Sequence, residues 1–280
     1  KPMATNLIRA GYNLCVYNRS KSPVEELVRL GASSAQHAKE VAQASDIVIT
    51  MLPDSPQVEE VVFGTNGLSE GLTPGKIYLD MSSIDPMTAK KAAAALLEKG
   101  VVMLDSPVSG GEIGAIEAKL SIFVGGPQEI FDRMRPLLEK MGTTVTRVGN
   151  VGAGNALKLI NQIIVAINMA AISEGLAFGQ KAGIDPIAAY EAIRGGLAGS
   201  RVLETKISNI SHHHFTPGFR IQLHEKDLKN ALSMGKEVGA SLEFTQRVLE
   251  IFSYLAKSGC SSEDHSALIK WFDGSIHPGC

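Results

Sequence analysis

"DIVITMLP", residues Asp46–Pro53, is the stretch that decides the fold. Ile47, Val48, Ile49, Met51 and Leu52 are apolar at odd and even positions alike, with only Thr50 among them, and Pro53 ends the run. A strand wetted on one side alternates apolar and polar residues, because successive side chains point to opposite faces. A strand that is apolar throughout is buried on both faces, as a parallel strand between two layers of helices is.

Outward from this strand the chain alternates. Downstream, Pro56–Phe63 reads as helix, "KIYLDMS" (Lys76–Ser82) as strand, and Pro86–Gly100 as an Ala-rich helix closed by its glycine. "VVMLDSPVSGG" (Val101–Gly111) is a strand running into a Gly-Gly loop at Ser109–Gly111, and "LSIFVGG" and "TVTRVG" complete the series around a helix over Gln128–Met141. Upstream lie helices over Ala38–Ala44 and Pro23–Leu30, a strand over Asn13–Tyr17, and a short amphipathic helix that starts at Pro2 and stops at Gly11. Alternation of this kind gives an α/β, Rossmann-type doubly wound sheet with right-handed crossovers. A helix followed by a strand is the second half of a βαβ unit, whose first half carries the glycine-rich phosphate loop in nucleotide-binding proteins. The first strand of such a sheet lies at its centre, so the natural polypeptide is expected to extend upstream of Lys1 by a strand and a glycine-rich turn.

After Gly149 the pattern changes. From Asn155 to Gly183 apolar residues fall at helical spacing. Pro186–Arg194, Arg201–Asn209, Leu223–Gly239, Leu242–Gly259 and Ser262–Trp271 read as further helices. The expected organisation is a nucleotide-binding domain over residues 1–150 and an all-α domain over residues 151–280.

A formal net charge of -2 gives no electrostatic footprint for nucleic acid. Cys15, Cys260 and Cys280 are odd in number, widely spaced and without a CxxC pair, which suits a reducing compartment and argues against disulfides or structural zinc. The longest apolar candidate, Leu157–Phe178, is interrupted by Lys158, Asn161, Gln162, Asn168 and Glu174, so no membrane span is expected. With no signal peptide at Lys1, the expected location is the cytoplasm. The run His212–His214 lacks carboxylates or cysteines at ligand spacing and reads as an exposed loop, with no metal site.

Ligands of a doubly wound sheet bind beyond the carboxyl ends of its strands. Where an NAD site places an acidic residue for the ribose, this chain has Asn18, Arg19 and Ser20. A guanidinium there grips a 2′-phosphate that a carboxylate would repel, so NADP(H) is the expected cofactor, with NAD(H) possible; a plain surface arginine is the alternative. In "VGNVGAGNALKLINQ" (Val148–Gln162), Gly149, Gly152 and Gly154 turn the chain into a long helix that Asn155 is expected to cap. Lys158 then falls in the first turn, with Asn161 and Gln162 on its face. The lysine is either a snorkelling surface residue or a proton donor to a carbonyl oxygen, made readier by desolvation. In "SPVSGGEIGA", Ser109 and the amides of Gly110 and Gly111 form either a nest for a carboxylate or a simple turn.

Taken together these stretches resemble the β-hydroxyacid dehydrogenase family. "KPM" is similar to the end of its Gly-x-Gly-x-Met-Gly-x-Pro-Met pattern, and "TMLPDSP", "DMSSIDP", "DSPVSGGEIGA", "GNVGAGNALKLINQ", "RGGLAGS", "GFRIQLHEKDLKNAL" and "DHSAL" follow in the family's order. "RGGLAGS" and "GFRIQLHEKDL" favour a semialdehyde-reducing member over the 3-hydroxyisobutyrate dehydrogenases, which vary at both places. The resemblance implies hydride transfer between a nicotinamide cofactor and a small carboxylate-bearing aldehyde or hydroxy acid. It makes Lys158 the acid, gives the substrate carboxylate to Ser109, Gly110 and Gly111, and shares substrate orientation between Asn161 and Gln162. It lines the cofactor with Leu52, Pro53, Gln57 and Ser83, and brings Lys226 to it from the helical domain, where a solvated ion pair with Asp227 is the plain alternative. It also implies a homodimer or homotetramer built through that domain. A non-catalytic binding member of the family remains the rival reading, and "WFDGSIHPGC" departs from the family's last helix.

Overall fold

In the computed structural model, which describes residues 1–276, the chain divides into two units, Lys1–Lys158 and the remainder from Leu159. The first alternates helix and strand: α1 (Pro2–Arg9), β1 (Cys15–Val16), α2 (Lys21–Arg29), β2 (Ser33–Ser34), α3 (Ala38–Ala44), β3 (Ile47–Thr50) and α4 (Ser55–Phe63). There follow β4 (Ile77–Asp80), α5 (Pro86–Leu97), β5 (Val102–Asp105), β6 (Val108–Ser109), α6 (Gly111–Ile116), β7 (Leu120–Gly125), α7 (Gln128–Leu138) and β8 (Gly142–Gly149).

The main sheet runs β3-β4-β5-β7-β6, with β8 also paired to β7. β3, β4 and β5 are parallel, in the register Ile47↔Ile77 and Ile77↔Val102. β7 runs antiparallel to β5 and β6 and parallel to β8, so the sheet is mixed at this end. Among the described residues β1 pairs with β2 alone, and the expected strand over Asn13–Tyr17 shortens to Cys15–Val16 because its partner is two residues long.

The apolar runs are explained by the faces they fill. Val48 and Tyr78 face a core completed by Val58 and Val62 of α4, Ala89 and Leu96 of α5, and Met103. Ile77, Leu79 and Leu104 face the other side, against Leu7 of α1 and Phe131, Met134 and Leu138 of α7. Each fully buried aliphatic side chain of this kind contributes about 1.5–3 kcal/mol. The helices after β3 and β4 start on their own aspartates: Asp54 accepts the Ser55 amide at 2.8 Å, and Asp85 accepts the Met87 amide at 3.0 Å.

The second unit is helical. α8 (Ala153–Lys181) enters it from the first unit, followed by α9 (Pro186–Ile193), α10 (Arg201–Ser211), α11 (Ile221–Val238), α12 (Glu243–Leu255) and α13 (Ile269–Phe272). Met169, Leu176, Leu203, Ile207, Ile221, Leu228 and Phe252 form its core. Two expected helices are broken. α12 ends at Leu255, and Ala256–Cys260 winds on as a π turn. The expected helix over Ser262–Trp271 splits into a 3₁₀ turn (His265–Leu268) and α13. Asp264 stops it, because its extended backbone bridges Arg220 while its side chain caps the Ser266 amide at 3.0 Å. Trp271, Phe272 and Ile276 pack against the core, whereas His277–Cys280, including the third cysteine, lie outside the described residues.

Candidate active site

The turns after β3 and β4 are fastened to each other. Thr50 Oγ1 donates to Asp80 Oδ1 at 2.9 Å, which leaves the Tyr78 hydroxyl to donate to Thr50 at 2.7 Å. Burial first, then the nearby Asp80 charge, pushes the Tyr78 phenol well above its ordinary value, so it stays a donor. Asp80 Oδ1 also accepts the Ser82 amide, Ser82 Oγ accepts the Leu52 amide at 2.8 Å, and Ser55 Oγ accepts the Asp85 amide at 3.1 Å. Leu52, Gln57 and Ser83 are thereby held half-buried, with Pro53 exposed, beyond the carboxyl ends of two parallel strands. Asn18, Arg19 and Ser20 are exposed after β1, and the Asn18 side chain donates to the Ser20 carbonyl within its own turn.

The expected loop at Ser109–Gly111 is a strand-to-helix turn. Ser109 pairs with Ser121 in the sheet and Gly111 opens α6. Gly110 and Gly111 have φ of 132° and 65°, which side chains rarely adopt, so glycine is what permits this turn.

The start of α8 differs from its sequence reading. Its cap is Asp105, wholly buried at the end of β5, and not Asn155, which lies inside the helix. Asp105 Oδ1 accepts the Gly152 amide at 2.7 Å; Oδ2 accepts the Asn155 amide at 2.7 Å and its side-chain amide at 3.3 Å. Asn155 Oδ1 in turn accepts the Ile84 amide at 2.9 Å, fixing the turn after β4 to the same point. Gly154 permits this approach, since a Cβ there would lie 2.5 Å from the Phe123 carbonyl oxygen. Burial lifts Asp105 to about 6, opposed by those amides and reinforced by Asp80. Because the helix begins at Ala153, Lys158 sits in its second turn and not its first; it is only 8% exposed, which removes the snorkelling alternative.

In the helical unit Gln162 and Lys226 converge on Asp227, which the sequence marked only as an ion-pair partner. Asp227 accepts Gln162 Nε2–H at 2.6 Å through Oδ2 and pairs with Lys226 Nζ at 2.9 Å through Oδ1. Asn161 Nδ2 donates to Gln162 Oε1 at 2.9 Å. The missed residues are Asp227, His224 and Asp105. Spacing of three between His224 and Asp227 in "HEKDL" was the available signal for one buried face of α11. His212, His213 and His214 are exposed, and among the described residues no group of three or more metal-ligating side chains is disposed around an ion.

Residues 1–149 match the sequence profile of the NAD binding domain of 6-phosphogluconate dehydrogenase, and residues 152–272 that of the NAD-binding region of NADP-dependent 3-hydroxyisobutyrate dehydrogenase. The 2-hydroxy-3-oxopropionate reductase of Escherichia coli K12 is 48% identical over 270 residues, covering 96% of this chain and 92% of the relative. The chain belongs to the β-hydroxyacid dehydrogenase family, the relatives of 3-hydroxyisobutyrate dehydrogenase. A 3-hydroxyisobutyrate dehydrogenase from Salmonella typhimurium superposes with a TM-score of 0.88 at 27% identity, covering 97% of this chain and 95% of that one. Psf3, solved in complex with NADP+ and 2-OPP, does so with a TM-score of 0.88 at 25% identity, covering 96% and 95%. As a β-hydroxyacid dehydrogenase the protein is a nicotinamide-dependent oxidoreductase acting on CH–OH groups.

Proposed function

We propose that the protein reduces tartronate semialdehyde (2-hydroxy-3-oxopropanoate) to D-glycerate, with Lys158 as general acid. The observation that carries this reading is the 48% identity to a 2-hydroxy-3-oxopropionate reductase across 96% of the chain. Residues 1–150 serve as the cofactor domain and 151–280 as the substrate and assembly domain.

The turns after β3 and β4 fit a dinucleotide, being short, rigidly tied through Ser82, and beyond the carboxyl ends of parallel strands. Leu52, Pro53, Gln57 and Ser83 would line the cofactor and Lys226 would offer its ammonium. Asn18, Arg19 and Ser20 would grip a 2′-phosphate, giving a preference for NADP(H) over NAD(H). When bound, the reduced nicotinamide supplies hydride to the aldehyde carbon. Lys158 moves a proton from Nζ to the aldehyde oxygen, and its burial limits competition from water. Ser109 and the amides of Gly110 and Gly111 hold the substrate carboxylate, while Asn161 and Gln162 orient the reacting end.

Ile160, Ile164 and Phe178 lie along one face of α8 and are 53%, 62% and 74% exposed, which supports association of the helical domain into a homodimer or homotetramer. Sedimentation at micromolar concentration is expected to show one of these, and a monomer would remove the assembly claim. The exposed stripe also accounts for α8 being long and apolar enough to cross a membrane by length and composition. Among the described residues Cys15 and Cys260 are free thiols, which suits a reducing compartment such as the cytoplasm. Steady-state rates with tartronate, succinic and methylmalonic semialdehydes and glyoxylate test the substrate. The first is expected to show the highest kcat/KM, and a higher value for another reassigns it.

A further inference from the structure

The reaction described above gives no task to Asn155, which lies inside α8 and is only 1% exposed. Asparagine is a poor helix former, and a buried amide needs its polar atoms paired. Both ends of this one are paired. Oδ1 accepts the Ile84 amide at 2.9 Å, and Nδ2 donates to Asp105 Oδ2 at 3.3 Å. A backbone N–H can only donate and an ionised carboxylate can only accept, so the side chain fits one way round.

Those two bonds tie together two turns that the reaction uses. Ile84 follows Ser83 in the turn after β4. In that turn Ser82 and Asp85 hold backward, to the Leu52 amide at 2.8 Å and the Ser55 hydroxyl at 3.1 Å, whereas Ile84 reaches forward to α8. Asp105 also accepts the Asn155 backbone amide at 2.7 Å, so the side chain is anchored to the helix at its root. Lys158 follows three residues later, on the same face. One side chain thus spans from the neighbour of Ser83 to the turn before Lys158.

We propose that Asn155 is a positioning residue, which sets the spacing between the turn that carries Ser83 and the turn of α8 that carries Lys158. Its catalytic consequence rests on the reading above, with Ser83 lining the cofactor and Lys158 as the acid. Hydride and proton must reach the two ends of one carbonyl group, so those turns must keep their distance. A misplacement on the order of 1 Å costs about 10²-fold. Without Oδ1 at position 155 the buried Ile84 amide loses its acceptor, and the turn shifts or opens to find another.

Two readouts test this on the full chain. The first needs no cofactor: hydrogen exchange at the Ile84 amide should quicken by about tenfold or more in Asn155→Ala, while the Leu52 amide keeps its protection. The second is a double-mutant cycle with Lys158→Ala, using NADPH and tartronate semialdehyde. Asn155→Ala should lower kcat by about 10–10²-fold. The loss should be smaller by about threefold or more when Lys158 is already alanine, because the group being aimed is gone. Asn155→Asp is the conservative variant. Un-ionised, it offers an oxygen to Ile84 and an O–H to Asp105; ionised, it repels Asp105, which the Asp80 charge already crowds. Its kcat relative to wild type should therefore climb as pH falls from about 8 to about 5. An unchanged Ile84 exchange rate, equal losses in both backgrounds, or a pH-independent aspartate ratio overturns the proposal. If Asn155→Ala does not fold, the aspartate variant at high and low pH decides by the same exchange rate and ratio. If tartronate semialdehyde is not reduced, the functional reading fails, and Ile84 exchange in the two variants still decides whether Asn155 holds the turn.

Discussion

Asp105 in the first unit and Asp227 in the second are both buried carboxylates, but Asp105 grips mainly backbone amides whereas Asp227 grips side chains. A carboxylate on the amides of a helix's first turn fixes the helix whatever side chains that helix carries. One on an amide and an ammonium fixes the direction of those two groups and leaves the backbone to other contacts. The difference teaches a division of labour: Asp105 fixes the first turn of α8, and Asp227 fixes the direction of a polar side chain that the helix carries beyond Lys158.

Substitutions can break or sharpen that division. Lys158→Ala tests the residue that the Asp105 clamp aims, and kcat should fall by about 10²–10⁴-fold, with NADPH binding retained in a fluorescence titration. Asp227→Asn keeps one acceptor and loses the charge, so kcat/KM for the aldehyde should fall about tenfold while the melting temperature moves little. Asp105→Asn should do the reverse, costing about 1–3 kcal/mol of stability with substrate KM unchanged below the melting transition. If Asp227→Asn unfolds the protein and Asp105→Asn alters only KM, the division is wrong.

Asp105 also carries a pH signature. Burial pushes its carboxyl up to about 6 in the folded chain from an ordinary 3.8, so between these values the folded state keeps a proton that the unfolded chain has released. The stability this contributes, about 3 kcal/mol, is fully present below the unfolded value and is lost as pH rises through about 6. A carboxyl ¹³C titration of Asp105 with its midpoint near 4 would contradict the burial that causes the shift. The smallest effect is expected at the edge of the first unit, where Arg19→Asp should change the NADPH to NADH preference by about tenfold.

The fold was legible where one short stretch declares its own surroundings. "DIVITMLP" is apolar on both faces because Val48 fills one core and Ile47 and Ile49 approach the other. α3 was visible from periodicity, and α5 and α8 from periodicity and from Pro or Gly at their ends. Lys158, Asn161 and Gln162 were visible as polar residues on an apolar helix. What the sequence hid is carried by partners distant along the chain. Asp105 caps a helix about fifty residues away, and a local rule therefore assigned that cap to Asn155. Asp264 ends a helical pattern because it pairs with Arg220 in a bridge that no window around residue 264 contains. His224 looks like any polar residue in "LHEKDL" until His265 is placed against it.

The central claim is that this β-hydroxyacid dehydrogenase reduces tartronate semialdehyde with Lys158 as the proton donor. Steady-state NADPH oxidation by wild type and Lys158→Ala, with the product identified as D-glycerate, tests it most directly. The expected result is turnover by wild type and a kcat lowered by at least about a hundredfold in the variant. Equal rates for the two, or no D-glycerate from wild type, would contradict it.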